Sequence, residues 1–273
     1  MSDIVGIIGG TGVVGSAIVN ACEREFIPTI IADEYTVLEP GNSTFDRLME
    51  CDAIFVCVPS PMIMSGGEDT GRCDSSILES VLSKLESFNG VIISKVTAPP
   101  DVYTRLGAKY KNLTYSPEFL TAANANDDYY KAEFCVVSGT VKAYINEAER
   151  IVVNTQPHAT TTLTASMEEA ALMKYAINSF LATKLIFMNE LYELAKANNI
   201  DYWAVATLFN KDFRTGGTHV KVPSPVDNTF GFGGMCFSKD TNALLKYAED
   251  ANIELSVLET AVKKNTLLRL NDK

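Results

Sequence analysis

The stretch Ile4-Val5-Gly6-Ile7-Ile8-Gly9-Gly10-Thr11-Gly12-Val13-Val14-Gly15 decides the fold. Ile4–Ile8 is a short apolar run of strand type, and a helical pattern follows the glycines through Cys22. Between them stands G-x-G-x-x-G. Gly10 permits a tight turn, Gly12 lets a pyrophosphate approach the backbone, and Gly15 lets the helix pack on the strand. The helix N-terminus then faces the phosphates. Asp33 lies 18 residues beyond Gly15, after the next apolar run Pro28–Ala32. A carboxylate there accepts hydrogen bonds from both ribose hydroxyls and repels a 2′-phosphate, so NAD is expected over NADP. The bland reading is a glycine turn in a doubly wound protein with some other ligand.

Outward from this turn the pattern repeats. Ala53–Val58, Gly90–Ser94, Leu113–Tyr115 and Phe134–Val137 are apolar runs bounded by Pro, Gly, Asp or Ser, with helical segments such as Ser75–Leu85 between them. Strands apolar at consecutive positions are buried on both faces, as in a parallel sheet covered by helices. The expected fold is α/β: a Rossmann-like doubly wound parallel sheet over residues 1–155, followed by an all-helical domain over 156–273. Polar, Thr-rich Gln156–Thr164 reads as the crossing between them. Ser166-Met167-Glu168-Glu169 has the spacing of a capping box. From there the chain reads as one long central helix to about Asn199, apolar nearly all round, which calls for cover from another domain or subunit. Tyr202–Phe209, Thr241–Asp250 and Leu255–Leu270 read as further helices, with a Gly- and Pro-rich loop over Asp212–Phe237.

Composition narrows the partners. The 273 residues are 47% hydrophobic and 21% charged, which is ordinary globular usage and excludes wholesale disorder. Lys and Arg number 23 against 34 Asp and Glu, a formal charge of −11, so no nucleic acid partner is expected. Cys22, Cys51, Cys57, Cys73, Cys135 and Cys236 form no CxxC pair, and reduced thiols in a cytoplasmic protein are the default. With two histidines, His158 and His219, no metal site is expected. Met1-Ser2-Asp3 leads straight into the first strand without a signal segment, and no apolar stretch is long enough to place the chain in a membrane.

Two further stretches carry chemistry. Lys174 and Asn178 are four apart on the long helix and share one face, so an ammonium and a carboxamide project together, a pair suited to an oxyanion. A solvated stripe on an exposed helix is the alternative. In Gly231-Phe232-Gly233-Gly234-Met235-Cys236-Phe237-Ser238-Lys239-Asp240, glycines let amides crowd round a ligand. Cys236 falls at a loop-to-helix junction where the dipole and Lys239 favour thiolate. Asp240, four residues on, is placed to act as base or to position water. The alternative is a Cys236 that merely packs between Phe232 and Phe237; the other five cysteines read as small buried hydrophobes. Ser94–Pro100 and Ser116–Leu120 end strands at the sheet edge where doubly wound folds bind ligands.

The chain resembles the UDP-glucose/GDP-mannose dehydrogenase family. Val56-Cys-Val-Pro-Ser-Pro61 resembles its CVPTP strand end, and Lys95–Pro99 its KSTVP segment with Thr97 at the threonine. Ser116–Leu120 resembles NPEFL, and Lys174 and Asn178 fall on the KxxxN pair. Asp212-Phe-Arg214 resembles DxRIG, and Gly231–Asp240 resembles GFGGSCFPKD. These motifs run in family order over nearly the whole chain. KxxxN alone is shared with 6-phosphogluconate and 3-hydroxyacid dehydrogenases; the Cys loop separates this family from them. The chain departs from the pattern by ending at Lys273, without the third, nucleotide-binding domain. It also departs at Met235 and Ser238, where Ser and Pro are usual, and over Gly217–Thr229, which lacks the lysine-rich lead-in.

The resemblance implies a four-electron, NAD-dependent oxidation of a hexose primary alcohol on a nucleotide sugar, of the kind that feeds polysaccharide biosynthesis. Cys236 forms the thiohemiacetal and thioester, Lys174 and Asn178 stabilise the oxyanion, and Asp240, Thr97 and Glu118 position or deprotonate water. Gly10, Thr11, Gly12, Val13, Val14, Gly15, Asp33, Val58, Pro59 and Thr97 are the expected cofactor contacts. Glu118, Phe119, Leu120, Lys174, Asn178, Arg214, Phe232 and Gly233 are the expected substrate contacts, with Arg214 acting across a homodimer interface. Two alternatives stay open. One is a two-electron 3-hydroxyacid dehydrogenase that leaves Cys236 idle. The other is a degenerate NAD-binding subunit that needs a separate partner in place of the missing domain.

Overall fold

A computed structural model describes residues 3–33, 39, 41–225 and 227–271. In chain order the strands are β1 (Val5–Ile8), β2 (Thr29–Ala32), β3 (Ala53–Val56), β4 (Met62–Ser65), β5 (Glu68–Cys73), β6 (Val91–Ser94), β7 (Leu113–Tyr115), β8 (Phe134–Gly139) and β9 (Thr161–Ala165). The helices are α1 (Val13–Arg24), α2 (Ser43–Leu48), α3 (Ser76–Lys84), α4 (Pro100–Lys109), α5 (Ala125–Tyr130), α6 (Lys142–Thr155), α7 (Met167–Ala197), α8 (Tyr202–Phe209), α9 (Met235–Asp250) and α10 (Ser256–Asn271). Two compact units form: residues 1–61 with 73–174, and residues 62–72 with 175–273.

The first unit is built on one sheet in the order β2-β1-β3-β6-β7-β8-β9. Its strands pair in parallel except β7 with β8, which run antiparallel. The alternating side chains of the consecutive apolar strands feed two cores. Ile8, Ile54, Val56 and Ile92 join one, with Leu78, Leu82 and Tyr103. Val5, Ile7, Ala53, Phe55, Val91 and Ile93 join the other, with Ala17, Ile18, Ile151 and Val152. A sheet buried on both faces is what the uninterrupted apolar runs require.

The second unit is helical apart from the β4–β5 hairpin. One of its cores joins Met188, Tyr202, Ala206 and Val222; another joins Ala182, Ile186, Phe232, Ala261 and Leu268. The hairpin is fastened to α9 by Asn242 Nδ2 donating to Asp69 Oδ2 at 2.9 Å and by the Arg72–Asp250 ion pair at 2.7 Å.

Several expectations are corrected. The break anticipated after residue 155 is not where the units part, because Thr161–Ala165 adds a parallel strand beside β8, and the division falls between Lys174 and Tyr175. α9 begins at Met235, so Cys236 lies inside its first turn rather than in a loop ending at Phe237. Cys22, Cys51 and Cys135 are buried as expected, whereas Cys57 and Cys73 are half-buried. The capping box forms as read: Ser166 N donates to Glu169 Oε2 at 2.7 Å and Glu169 N donates to Ser166 Oγ at 3.2 Å.

Candidate active site

The glycine turn closes as its sequence demands. A Cβ at Gly15 would lie 2.1 Å from the Gly9 carbonyl oxygen, and one at Gly10 would lie 2.5 Å from Ile31 Cγ2. Both glycines are buried, whereas Thr11, Gly12 and Val13 are exposed and Val14 is half-buried. Gly12 is the N-cap of α1 and supplies no side-chain cap, so the first-turn amides remain available to an anion. Asp33, exposed at the end of β2, accepts a hydrogen bond from Thr11 N through Oδ1 at 2.8 Å. The loop and its acidic partner thus brace each other, and the arrangement fits a dinucleotide.

The other strand ends of the first unit carry Val58, buried, and Pro59, exposed, after β3. Half-buried Thr97 follows β6, and its carbonyl accepts from Ser60 Oγ at 2.8 Å and Cys73 Sγ at 3.7 Å. Lys95 is 3% exposed, with Nζ donating to Ser116 Oγ at 2.9 Å; burial pulls its ammonium down to about 8. Half-buried Glu118, Phe119 and Leu120 follow β7. Glu118 Oε2 accepts from Leu120 N at 3.0 Å, and its Oε1 faces Lys174 Nζ at 3.2 Å. Lys174 also donates to the Glu118 carbonyl at 2.6 Å, and its Nζ lies 5.5 Å from the centre of the Phe119 ring. Lys174 is buried, which excludes the solvated-stripe reading of this residue.

The second unit gathers another polar cluster. Asn178 Nδ2 donates to Asp240 Oδ2 at 2.5 Å, and Lys239 Nζ donates to Asp240 Oδ1 at 2.5 Å. Asp240 is 1% exposed, and these two neighbours engage both of its carboxylate oxygens. The ammonium of Lys239, expected to support the thiol, therefore sits on Asp240. Cys236 is exposed behind exposed Gly233 and Gly234, while Phe232 is buried. The Phe232 and Phe237 rings meet edge-on, 6.2 Å apart.

Arg214 is exposed in a single 3₁₀ turn, Phe213–Thr215, where its Nε donates to Asp212 Oδ1 at 2.9 Å. Lys184, buried on α7, donates to the carbonyls of Thr215 and Gly216 at 2.9 Å each and to that of Thr218. It fixes the backbone just after Arg214. Lys95 and Ser60 lie within the strand-end segments Lys95–Pro99 and Val56–Pro61 without a role of their own expected for them; Lys184 and Cys73 were not expected, and for Lys184 a lone basic residue in an apolar segment was the available signal.

Residues 32–156 match the NAD binding domain of the UDP-glucose/GDP-mannose dehydrogenase family, and residues 168–267 match its central domain. The chain belongs to that family. UDP-glucose 6-dehydrogenase TuaD of Bacillus subtilis is 29% identical over 245 residues, covering 84% of this chain and 50% of that protein. A UDP-glucose 6-dehydrogenase of Rickettsia felis is 27% identical over 265 residues, 90% of this chain and 57% of its own length. This family member spans about half the length of the relatives it matches.

Among solved structures, a UDP-glucose dehydrogenase from Pyrobaculum islandicum superposes with a TM-score of 0.74 at 22% identity, covering 98% of this chain and 68% of that one. The Mycobacterium tuberculosis 3-hydroxyisobutyrate dehydrogenase gives 0.68 at 15% identity over 96% of this chain and 92% of its own. Both identities are low enough that the likeness is one of fold. Among the described residues of this family member, no helix is long and apolar enough to cross a membrane, and no cluster of His, Cys, Asp and Glu could hold a metal ion.

Proposed function

We propose that the chain is an NAD-dependent nucleotide-sugar 6-dehydrogenase, oxidising a hexose primary alcohol to a carboxylate through a thioester on Cys236. The observation that carries this reading is the exposed thiol in the first turn of α9, behind a glycine loop and four residues ahead of a buried carboxylate. A 3-hydroxyacid dehydrogenase has no use for that thiol.

Gly10–Gly15 and Asp33 hold NAD, with Val58, Pro59 and Thr97 on the neighbouring strand ends. NAD supplies the hydride acceptor, once for each two-electron step. The remaining work falls to the chain. The Cys236 thiolate adds to the carbonyl carbon of the aldehyde; a C–S bond forms and the π pair moves to oxygen. The Lys174 ammonium and the Asn178 amide stabilise that oxygen. After the second oxidation, water adds to the thioester and the C–S bond breaks, releasing the acid and returning the thiol. Thr97, Glu118 and Asp240 position or deprotonate this water. Phe119, Leu120, Phe232 and Gly233 contact the sugar nucleotide, and Arg214 binds it from a second copy. Screening nucleotide sugars with NAD tests the reading directly. Two NADH per acid formed supports it; one NADH and a ketone or aldehyde product supports the 3-hydroxyacid alternative. No turnover, even with neighbouring proteins added, supports the NAD-binding subunit.

The carboxylate of Asp33 sets cofactor choice. Losing its charge-assisted hydrogen bonds costs ~1.5–3 kcal/mol, so NAD should bind about 10- to 100-fold tighter than NADP. Asp33→Asn should narrow that ratio. Equal titration of the wild type by both cofactors would rule out this role.

The second unit exposes Phe180 (65%), Phe187 (50%) and Leu194 (59%) along α7. Their seven-residue spacing makes one apolar seam, and Trp203 and Leu208 of α8 are exposed as well. We assign this seam to an isologous homodimer. Light scattering should give about twice the 29.7 kDa chain mass, and Phe180→Glu with Phe187→Glu should return the monomer. A monomeric wild type at micromolar concentration would refute the assignment.

A further inference from the structure

The backbone ahead of Cys236 is held by side chains rather than by secondary structure. Gly231 N donates to Asn189 Oδ1 at 2.9 Å, and Phe232 N donates to Asn265 Oδ1 at 2.7 Å. The Phe232 carbonyl accepts from Arg269 Nε at 3.1 Å. Three neighbouring polar groups of the main chain, two N–H and one C=O, are thus each taken by a different side chain. Gly231 and Phe232 are buried, and buried main chain needs such partners where no ladder satisfies it.

The holding groups are themselves fixed. Asn189 is 1% exposed and spends its Nδ2 on the Leu185 carbonyl at 2.7 Å, so its oxygen is the atom that faces Gly231. Asn265 and Arg269 are four apart on α10 and project from one face. Arg269 also donates to Asp227 Oδ2 at 2.7 Å and to Thr229 Oγ1, both in the same loop, and its guanidinium holds the Asp227 carboxyl far below the usual range.

The glycines answer to these side chains. A Cβ at Gly231 would lie 2.3 Å from Asn265 Oδ1, and one at Gly233 would lie 2.4 Å from an Arg269 terminal nitrogen. Gly231 has φ 76° and Gly234 has φ 81°, a region where a side chain strains the backbone. Gly234 is also the N-cap of α9, with no side-chain cap of its own. The first turn of α9, with Cys236 as its second residue, is therefore approached through a loop whose course α7 and α10 dictate.

We infer that Asn189, Asn265 and Arg269 are positioning residues that set the first turn of α9 and so the environment of the Cys236 thiol. The inference rests on the reading of Cys236 as nucleophile. Freeing the loop lets the uncapped turn fray, and the thiol then loses the oriented amides that favour its thiolate.

The test is the pH dependence of iodoacetamide alkylation at Cys236, followed by peptide mass spectrometry on the full chain without cofactor or substrate. Asn265→Ala and Arg269→Lys should raise the alkylation midpoint by about half to one pH unit. Each should lower kcat by roughly 10-fold or more with a small change in KM. Asn265→Asp keeps an acceptor for the Phe232 amide and should stay near wild type. Arg269→Lys keeps a cation on Asp227 while losing the guanidinium fork, so it reports on the loop even if Asn265→Ala fails to fold. A low wild-type midpoint that Arg269→Lys leaves unmoved overturns this inference alone. A wild-type midpoint at the ordinary thiol value near ~8.5 overturns the nucleophile reading as well.

Discussion

Replacement of Cys236 by alanine should abolish acid formation while leaving NAD affinity unchanged, because the glycine turn and Asp33 lie in the other unit. Cys236→Ser should stall at the aldehyde, since a hydroxyl is a far weaker nucleophile than a thiolate at neutral pH. The wild type should be inactivated by iodoacetamide, and a bound sugar nucleotide should protect it. The structure sharpens this test. A thiol packed between Phe232 and Phe237 would lose stability on truncation, yet Cys236 is exposed. Truncation of an exposed side chain costs far less than truncation in the core, so the change in stability should be small beside the loss of rate. A rate falling by orders of magnitude at unchanged melting temperature then has one explanation. Acid formation persisting in Cys236→Ala would sink the thioester route.

The parts of this architecture that announced themselves are those where local pattern and tertiary role coincide. Val5–Ile8, Ala53–Val56 and Val91–Ser94 are buried strands because they are apolar without alternation. α7 is bounded where Ser166 and Glu169 close a capping box. The β4–β5 hairpin was silent because Met62–Ser65 is largely exposed and Glu68–Cys73 is mostly polar; it is held by Asp69 and Arg72 reaching α9. β9 was silent because Thr161–Ala165 is an edge strand with no fully buried position. The reversal of β8 leaves no mark in composition. Within the candidate site, the types and spacings of Lys174, Asn178 and Asp240 were legible but their partners were not. Glu118 meets Lys174 across 56 residues, and Asp240 meets Asn178 across 62. The same holds for Asn189, Asn265 and Arg269, which look like ordinary helix polars until the loop they hold is folded against them.

Asp240 is where stability and chemistry should separate most clearly. Both carboxylate oxygens are engaged, Oδ2 by Asn178 and Oδ1 by Lys239, and the residue is 1% exposed. Asp240→Ala strands an amide and an ammonium that were paired, and breaking one partner of a buried pair costs ~3–5 kcal/mol. Chemical denaturation should show a loss of that order. Asp240→Asn keeps the volume and one acceptor oxygen, so with Asn178 in its present orientation it can satisfy Asn178 or Lys239 but not both. One orphaned donor costs about 1–3 kcal/mol, so this variant should fold and bind NAD. If Asp240 positions or deprotonates the hydrolytic water, the amide should slow acid release by about 100-fold or more, as removal of a general base does. Both NADH of the first turnover should still form. An acyl adduct should then accumulate on Cys236, visible as added mass in the intact protein after mixing with NAD and the sugar nucleotide. A purely structural Asp240 predicts instead that Asp240→Asn releases acid at the wild-type rate per folded molecule and traps no adduct, and that result would remove it from the hydrolytic step.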